Sequence, residues 1–238
     1  MKIEVWSDFA CPFCYIGKRR LEEALMNFPH KNEVDILFKS FELDPNASLD
    51  TELSINEILA KKYGMSIEKA KAMNASVGQQ AAAVGLTFEF DNMKPTNTFD
   101  AHRLAKLAES KGKDKEMTEQ LLKAYFTDSE HIGNHDTLLK IVEEAGLNRE
   151  EAKSVLESED FAEHVRADEM EAREIGVQGV PFFVINRKYA ISGAQPVEVF
   201  NDTLQKVWEE ENKKISLEQI KGNEAGVCTE DGCELPEK

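Results

Sequence analysis

The four cysteines of this chain stand as two close pairs, Cys11/Cys14 and Cys228/Cys233. Paired thiols can cycle between dithiol and disulfide, or they can share a metal ion. Disulfide exchange needs a thiolate to attack and a second thiol close enough to expel the mixed disulfide. The spacing C-x-x-C at a helix start supplies both. Cys11 falls where unpaired backbone N–H groups and the helix dipole favour negative charge, which suits an attacking thiolate. Cys14 follows about one turn later, on a face shared with Leu21 and Leu25, and is expected to stay protonated until Cys11 is engaged. Pro12 restricts the loop and has no N–H to donate. Phe13 adds bulk without charge and lacks the donor a histidine there would offer. The expected disulfide is therefore less oxidising than the strongest oxidants of this chemistry, which reach about −120 mV.

The elements around this motif favour redox over zinc. Ile3, Val5 and Ser7 alternate with Glu4 and Trp6, a short strand pattern. Pro12 suits the first position of a helix. Cys14, Leu21, Leu25 and Phe28 then recur at helical spacing to about Pro29. Val34, Ile36, Phe38 and Phe41 mark a second strand within Glu33 to Leu43. Strand, helix and strand in that order make a parallel unit. Structural zinc pairs sit in knuckles instead, so a zinc half-site completed by Cys228 and Cys233 is the lesser alternative.

The middle of the chain reads as helical. Ser54 to Glu57 is a capping box. Helical patterns follow at about 66–84, 98–111, 115–127, 136–145, 149–157 and 159–175, with Gly85, Gly112, Gly133 and Gly146 between several of them. Segment 86–95 reads as an extended connection. Phe182 to Ile185 is a buried strand, Asn186-Arg187 a hairpin turn, Tyr189 to Ser192 its partner, and Phe200, Leu204, Val207 and Trp208 the face of a last helix. The expected organisation is a discontinuous domain, 1–45 and 176–212, with an inserted helical lid at 46–175 and a tail at 213–238 that carries the second cysteine pair.

Net charge is −16. Such a surface repels nucleic acid and anionic lipid, so neither is an expected partner. No apolar leader precedes the first strand, and no run approaches the roughly 18 apolar residues of a membrane helix. A cytoplasmic location is expected, where paired cysteines point to redox or metal chemistry.

Other residues carry weaker signals. Asp8 lies three residues before Cys11. A carboxyl there could take a proton from a buried thiol, or it could cap the helix. His131 and His135 have the four-residue spacing of a metal pair, but Gly133 and Asn134 between them argue for a loop, and no metal site is expected. Cys228 and Cys233 could close a small loop with Gly232 and exchange with the Cys11–Cys14 disulfide, because tethered thiols reach effective concentrations on the order of mM. A passive tail disulfide and a two-thiolate metal site are the alternatives.

Cys11-Pro12-Phe13-Cys14 after Trp6-Ser7-Asp8-Phe9, with Tyr15-Ile16-Gly17 following, resembles the DsbA-like thioredoxin superfamily and, within it, the FrnE-like branch. Thr98 to Leu104, Gly176 to Phe183 and Ile191 to Gln195 match in the family's order, over about 3–208. The resemblance implies an α/β thioredoxin-like fold with a large inserted all-helical lid. It implies a cis bond between Val180 and Pro181, with the Val180 backbone presented to an extended substrate. It also places Asn97, Asp100 and His102 at the start of a lid helix facing the active site.

The function implied is disulfide oxidation, reduction or isomerisation in protein substrates, without a bound cofactor. Glutathione and a thioredoxin system are the candidate redox partners. Two other classes stay open. The layout also resembles kappa-class glutathione transferases and hydroxychromene-carboxylate isomerases, whose active position is usually serine; Val180, Ser192 and Gln195 would then meet the peptide-like thiol. The third class is a zinc-stabilised adaptor.

Overall fold

The computed structural model describes residues 1–212 and the backbone of 227–229 and 232–234. β1 (Lys2–Ser7) leads through α1 (Pro12–Asn27) to β2 (Asp35–Ser40), which pairs parallel to β1 from Lys2↔Asp35 to Ser7↔Ser40. β3 (Phe182–Ile185) and β4 (Tyr189–Ser192) form an antiparallel hairpin, and β3 runs antiparallel to β1. The sheet order is β2-β1-β3-β4. Asn186 and Arg187 make the hairpin turn with φ of 51° and 55°, the left-handed geometry that matches strand twist. α9 (Val197–Glu211) follows.

β1 is an inner strand, so both of its faces are covered. Ile3 and Val5 pack with Phe183, Ile185, Leu21 and Phe200 in the core that the sheet shares with α1 and α9. Glu4 and Trp6, on the other face, are just as buried. Trp6 packs against Ala172, Val177 and Val184. The Glu4 carboxylate is taken by the Arg187 guanidinium. Alternation in the sequence separated two faces, and neither is a solvent face, because α1 and α9 cover one and α8 covers the other.

Seven helices stand between β2 and β3: α2 (Ile55–Tyr63), α3 (Ile67–Ala82), α4 (Phe99–Ser110), α5 (Asp114–Phe126), α6 (His135–Glu144), α7 (Arg149–Leu156) and α8 (Ala162–Glu174). Their starts follow local chemistry. Ser54 and Glu57 form the reciprocal capping box of α2, and Ser66, Asn134 and Asn148 cap α3, α6 and α7 by accepting an amide three residues on. Gly133 is required for space. A Cβ there would lie 1.9 Å from Thr96 Oγ1. That hydroxyl donates to the Leu49 carbonyl at 2.7 Å, and the same oxygen meets His131 Nε2 at 2.8 Å. His135 instead meets Asp100 Oδ2 at 2.9 Å. The two histidines hold different segments.

One buried ionic hub joins sheet to insert. Asp168 on α8 pairs with Lys106 on α4 at 2.5 Å and with Lys39 on β2 at 2.8 Å, and accepts the Ser40 amide at 3.0 Å. Its own carbonyl accepts Trp6 Nε1 at 2.9 Å. Removing one partner of such a set leaves buried charge uncompensated, whereas removing both ends together costs little. Asp168→Leu is expected to lower the unfolding free energy by about 3 kcal/mol or more. Adding Lys106→Met should recover part of the loss, and urea titrations of both variants check it.

Candidate active site

β1 ends at Ser7, and the chain turns into α1 through a tight corner. The Cys11 amide donates to Asp8 O at 3.1 Å and the Cys14 amide to Cys11 O at 3.0 Å. Cys11 is the N-cap residue of α1, in extended conformation, with Pro12 opening the helix and no side chain capping its free amides. The positive end of α1 is therefore left to the cysteine. The Cys11 thiol donates to the Val180 carbonyl at 3.5 Å. The Val180–Pro181 peptide bond is cis. Gly17 lets this proline close on α1: a Cβ there would meet Pro181 Cγ at 3.0 Å and Phe183 at 3.1 Å.

Both thiols are free and buried, and they lie close enough to interact. Their surroundings differ. Cys14 is enclosed by protein. Burial pushes its thiol well above the ordinary value, and the neighbouring Cys11 adds to the rise. The Ser7 hydroxyl and the Asp8 amide, 3.4 Å from Cys14 Sγ, oppose it only in part.

Asp8 does not cap α1. Its carboxylate is buried and points into the insert. Oδ1 accepts from Thr98 Oγ1 at 2.9 Å and from the Ala10 amide at 3.3 Å; Oδ2 accepts from the Leu43 amide at 2.8 Å. His102 Nε2 lies 3.5 Å from Oδ1, and its ring packs on Phe9 with centroids 4.7 Å apart. Burial raises the Asp8 pKa, but His102, Leu43 and Thr98 together outweigh burial and hold it below its ordinary value. Asp8 also raises Tyr125, which burial already pushes up strongly.

The insert thus brings His102 to Asp8 and leaves its neighbours in supporting roles. Asp100 pairs with Arg103 and His135, and Asn97 accepts the Phe99 amide and donates to Pro45 O. Thr98 is the residue that sequence reasoning missed. It has the type and position of an N-cap for α4, yet makes no side-chain cap bond there; its hydroxyl goes to Asp8. Leu43 contributes a backbone amide, which leaves no signal in residue types. Ser192 pairs with Phe182 one strand from the site, and Gln195 Nε2 donates to Ser192 O at 2.8 Å. Cys228 and Cys233 are register partners of a two-stranded ladder, β5 (Val227–Thr229) and β6 (Gly232–Glu234). Their side chains and any relation to Cys11 lie outside the described residues, and so does the zinc cage that would need them.

A cleft of about 1080 Å³ opens beside Cys11. Pro12, Phe13, Leu43 and Thr98 border it on the motif side, and α2, α3 and the 90–96 segment form its far wall.

Asp8→Asn is expected to destabilise the fold by about 1–3 kcal/mol, because an amide cannot accept from all of the donors that surround the carboxylate. A carboxylate with a lowered folded pKa stabilises above its unfolded value, and that stability is lost as pH falls through the folded value. The gap between parent and Asp8→Asn should therefore be full at neutral pH and close only below about pH 4. Urea midpoints measured from pH 7 to pH 3 check both statements.

Known proteins share this fold. A DSBA-like thioredoxin domain profile matches residues 2–205. Protein YwbO of Bacillus subtilis strain 168, described as uncharacterized, is 30% identical over 214 residues, which is 89% of this chain and 98% of that protein. The probable DsbA oxidoreductase SCO1869 from Streptomyces coelicolor superposes with a TM-score of 0.85 at 41% identity, over all of both chains. At the level of fold alone, a 2-hydroxychromene-2-carboxylate isomerase superposes with a TM-score of 0.70 at 14% identity, over 91% of this chain and all of that one. The cytosolic disulfide reductase DsbM from Pseudomonas aeruginosa does so with 0.61 at 16% identity, over 88% of this chain and all of its own. The matched range runs from β1 into α9, and the chain belongs to the DSBA-like thioredoxin domain family.

Proposed function

We propose that the protein is a thiol–disulfide oxidoreductase in which Cys11 attacks and Cys14 resolves. The observation that carries this reading is a pair of adjacent free thiols at the start of α1, the first of which faces the Val180 carbonyl of a cis Val180–Pro181 bond. Cys11 is the N-cap of a helix whose first amides no side chain caps, and burial and the neighbouring Cys11 push the Cys14 thiol up.

In the reducing direction the Cys11 thiolate attacks one sulfur of a substrate disulfide. That S–S bond breaks, and the departing thiolate takes a proton. Cys14 then gives up its proton and attacks the Cys11 sulfur. The second substrate thiol leaves, and the two electrons remain with the substrate as a Cys11–Cys14 disulfide forms. Oxidation is the same sequence reversed. An extended substrate would lie along Val180 and Pro181, whose backbone already faces the Cys11 sulfur. Asp8 is a poor base with its pKa held down, so its role in this reading is to position the corner, with His102 beside it.

Protein thiols and disulfides are the proposed substrates, with glutathione or a thioredoxin system as redox partner. A cytoplasmic setting would favour reduction or isomerisation, because the glutathione pool there keeps thiols reduced. A second reading, glutathione-dependent isomerisation or transfer, is supported by the size of the cleft beside Cys11.

Equilibration in glutathione buffers, alkylation of free thiols and mass mapping separate the two. Reversible cycling of Cys11 with Cys14 is expected, with a midpoint between about −270 and about −120 mV. Cys11→Ser should abolish exchange, and Cys14→Ser should accumulate a mixed disulfide on Cys11. A stable glutathione adduct on the parent protein, with no internal disulfide at any potential, would overturn the dithiol reading in favour of the second.

A further inference from the structure

The cleft beside Cys11 is larger and more apolar than a bare exchange of sulfurs requires. Sites for small organic molecules run to about 300–1,000 Å³, and this one holds about 1080 Å³. Ile58, Leu59, Met73, Val77, Phe90 and Phe126 line its interior. Phe13, Leu43, Leu53 and Tyr63 border it with side chains left 37–57% exposed. Large apolar side chains gathered in the open around one cavity mark a binding surface.

Charge gives the second observation. The chain carries −16 overall, yet α2 and α3 together hold four lysines (Lys61, Lys62, Lys69, Lys71) against two glutamates (Glu57, Glu68). Lys61 and Lys62 border the cleft. Neither forms an ion pair among the described residues, although most basic residues elsewhere in the fold do. Two carboxylates, Asp8 and Asp44, also border the cleft, and both already accept hydrogen bonds. Asp8 is saturated by Thr98, Leu43 and Ala10, and Asp44 accepts the Asn46 amide at 3.1 Å. An apolar chamber with free cations at its border and a thiol in its wall is complementary to an amphipathic anion.

We infer that the cleft binds small organic anions with an apolar or aromatic body, the body seated in the chamber and the carboxylate or sulfonate at Lys61 and Lys62, and that disulfides of this class are substrates of Cys11. The inference rests on the dithiol reading for turnover; binding stands apart from it. One aromatic disulfide would be consumed with the Cys11 and Cys14 thiols, yielding the Cys11–Cys14 disulfide and two aromatic thiols.

The test uses the full chain carrying Cys228→Ser and Cys233→Ser, so that only the first pair reports. Thiol release is followed with bis(3-carboxy-4-nitrophenyl) disulfide, a dianion, and with neutral 4,4′-dithiodipyridine. Saturation by the dianion is expected. Each pre-reduced chain reacts once, and the ratio of single-turnover second-order rate constants for dianion over neutral disulfide should fall about tenfold in Lys61→Glu/Lys62→Glu, and more at low salt than at high. Ser76→Trp, an exposed residue of the cleft wall, should slow both aromatic disulfides by narrowing the chamber, with the rate of Cys11 alkylation by iodoacetamide as the control for thiol reactivity. An unchanged ratio, or rates linear in dianion up to solubility, overturns the inference. So does a preference for an acidic peptide disulfide over the aromatic dianion that depends on the same lysines, since the occupant is then a polypeptide. Equilibrium dialysis of anilinonaphthalene sulfonate against the Cys11→Ser chain isolates binding. Lysine-dependent dye binding without thiol release from the parent would sink the dithiol reading and uphold the anion site; thiol release without dye binding would do the reverse.

Discussion

An ionised carboxylate buried at the corner between β1 and α1 needs partners, since desolvating a charge costs several kcal/mol unless donors replace the lost water. Asp8 finds them in segments far apart in the chain. The Ala10 amide comes from its own corner, the Leu43 amide from the end of the β2 connection, and the Thr98 hydroxyl from the residue that precedes α4. Meeting that requirement fixes where the insert can sit. It brings His102 and Tyr125 to the same place and sets one border of the cleft. The Asp168 hub repeats the device with Lys39 and Lys106, so that β2, α4 and α8 are tied by charge.

The inequality of the cysteines follows from the same corner. Pro12 starts α1 immediately after Cys11 and leaves the first-turn amides uncapped, so the helix end acts on one sulfur. Three residues on, the helix has carried Cys14 beneath the β1 end, where it meets Ser7 and the Asp8 amide. A second ionic set anchors this helix to the insert: Lys18 and Arg19 on α1 meet Glu119 on α5, which burial would raise but the two cations hold at about 2. The reactive end of α1 is thus braced at both ends, by Asp8 at its start and by Glu119 one turn beyond Cys14.

Much of this was legible in the chain. The C-x-x-C after a short strand, the order of strands and helices, the capping box at Ser54 and the hairpin turn at Asn186-Arg187 are local, because hydrogen bonds and dihedral preferences within a few residues decide them. Thr98 shows where that logic stops. By type and position it caps α4, and only packing reveals that Asp8 competes for its hydroxyl and wins. Leu43 contributes an amide that every residue but proline possesses.

What the sequence by itself determined is therefore the chemistry available and the elements that carry it: two thiols at a helix start, flanked by strands and followed by a helical insert. Tertiary structure alone decided what Asp8 serves, that both faces of β1 are buried, and that Lys61 and Lys62 border a cleft beside Cys11. The physical reason is range. Propensity and spacing act over a few residues, whereas burial and the balance of charge at a site depend on groups brought from across the whole chain.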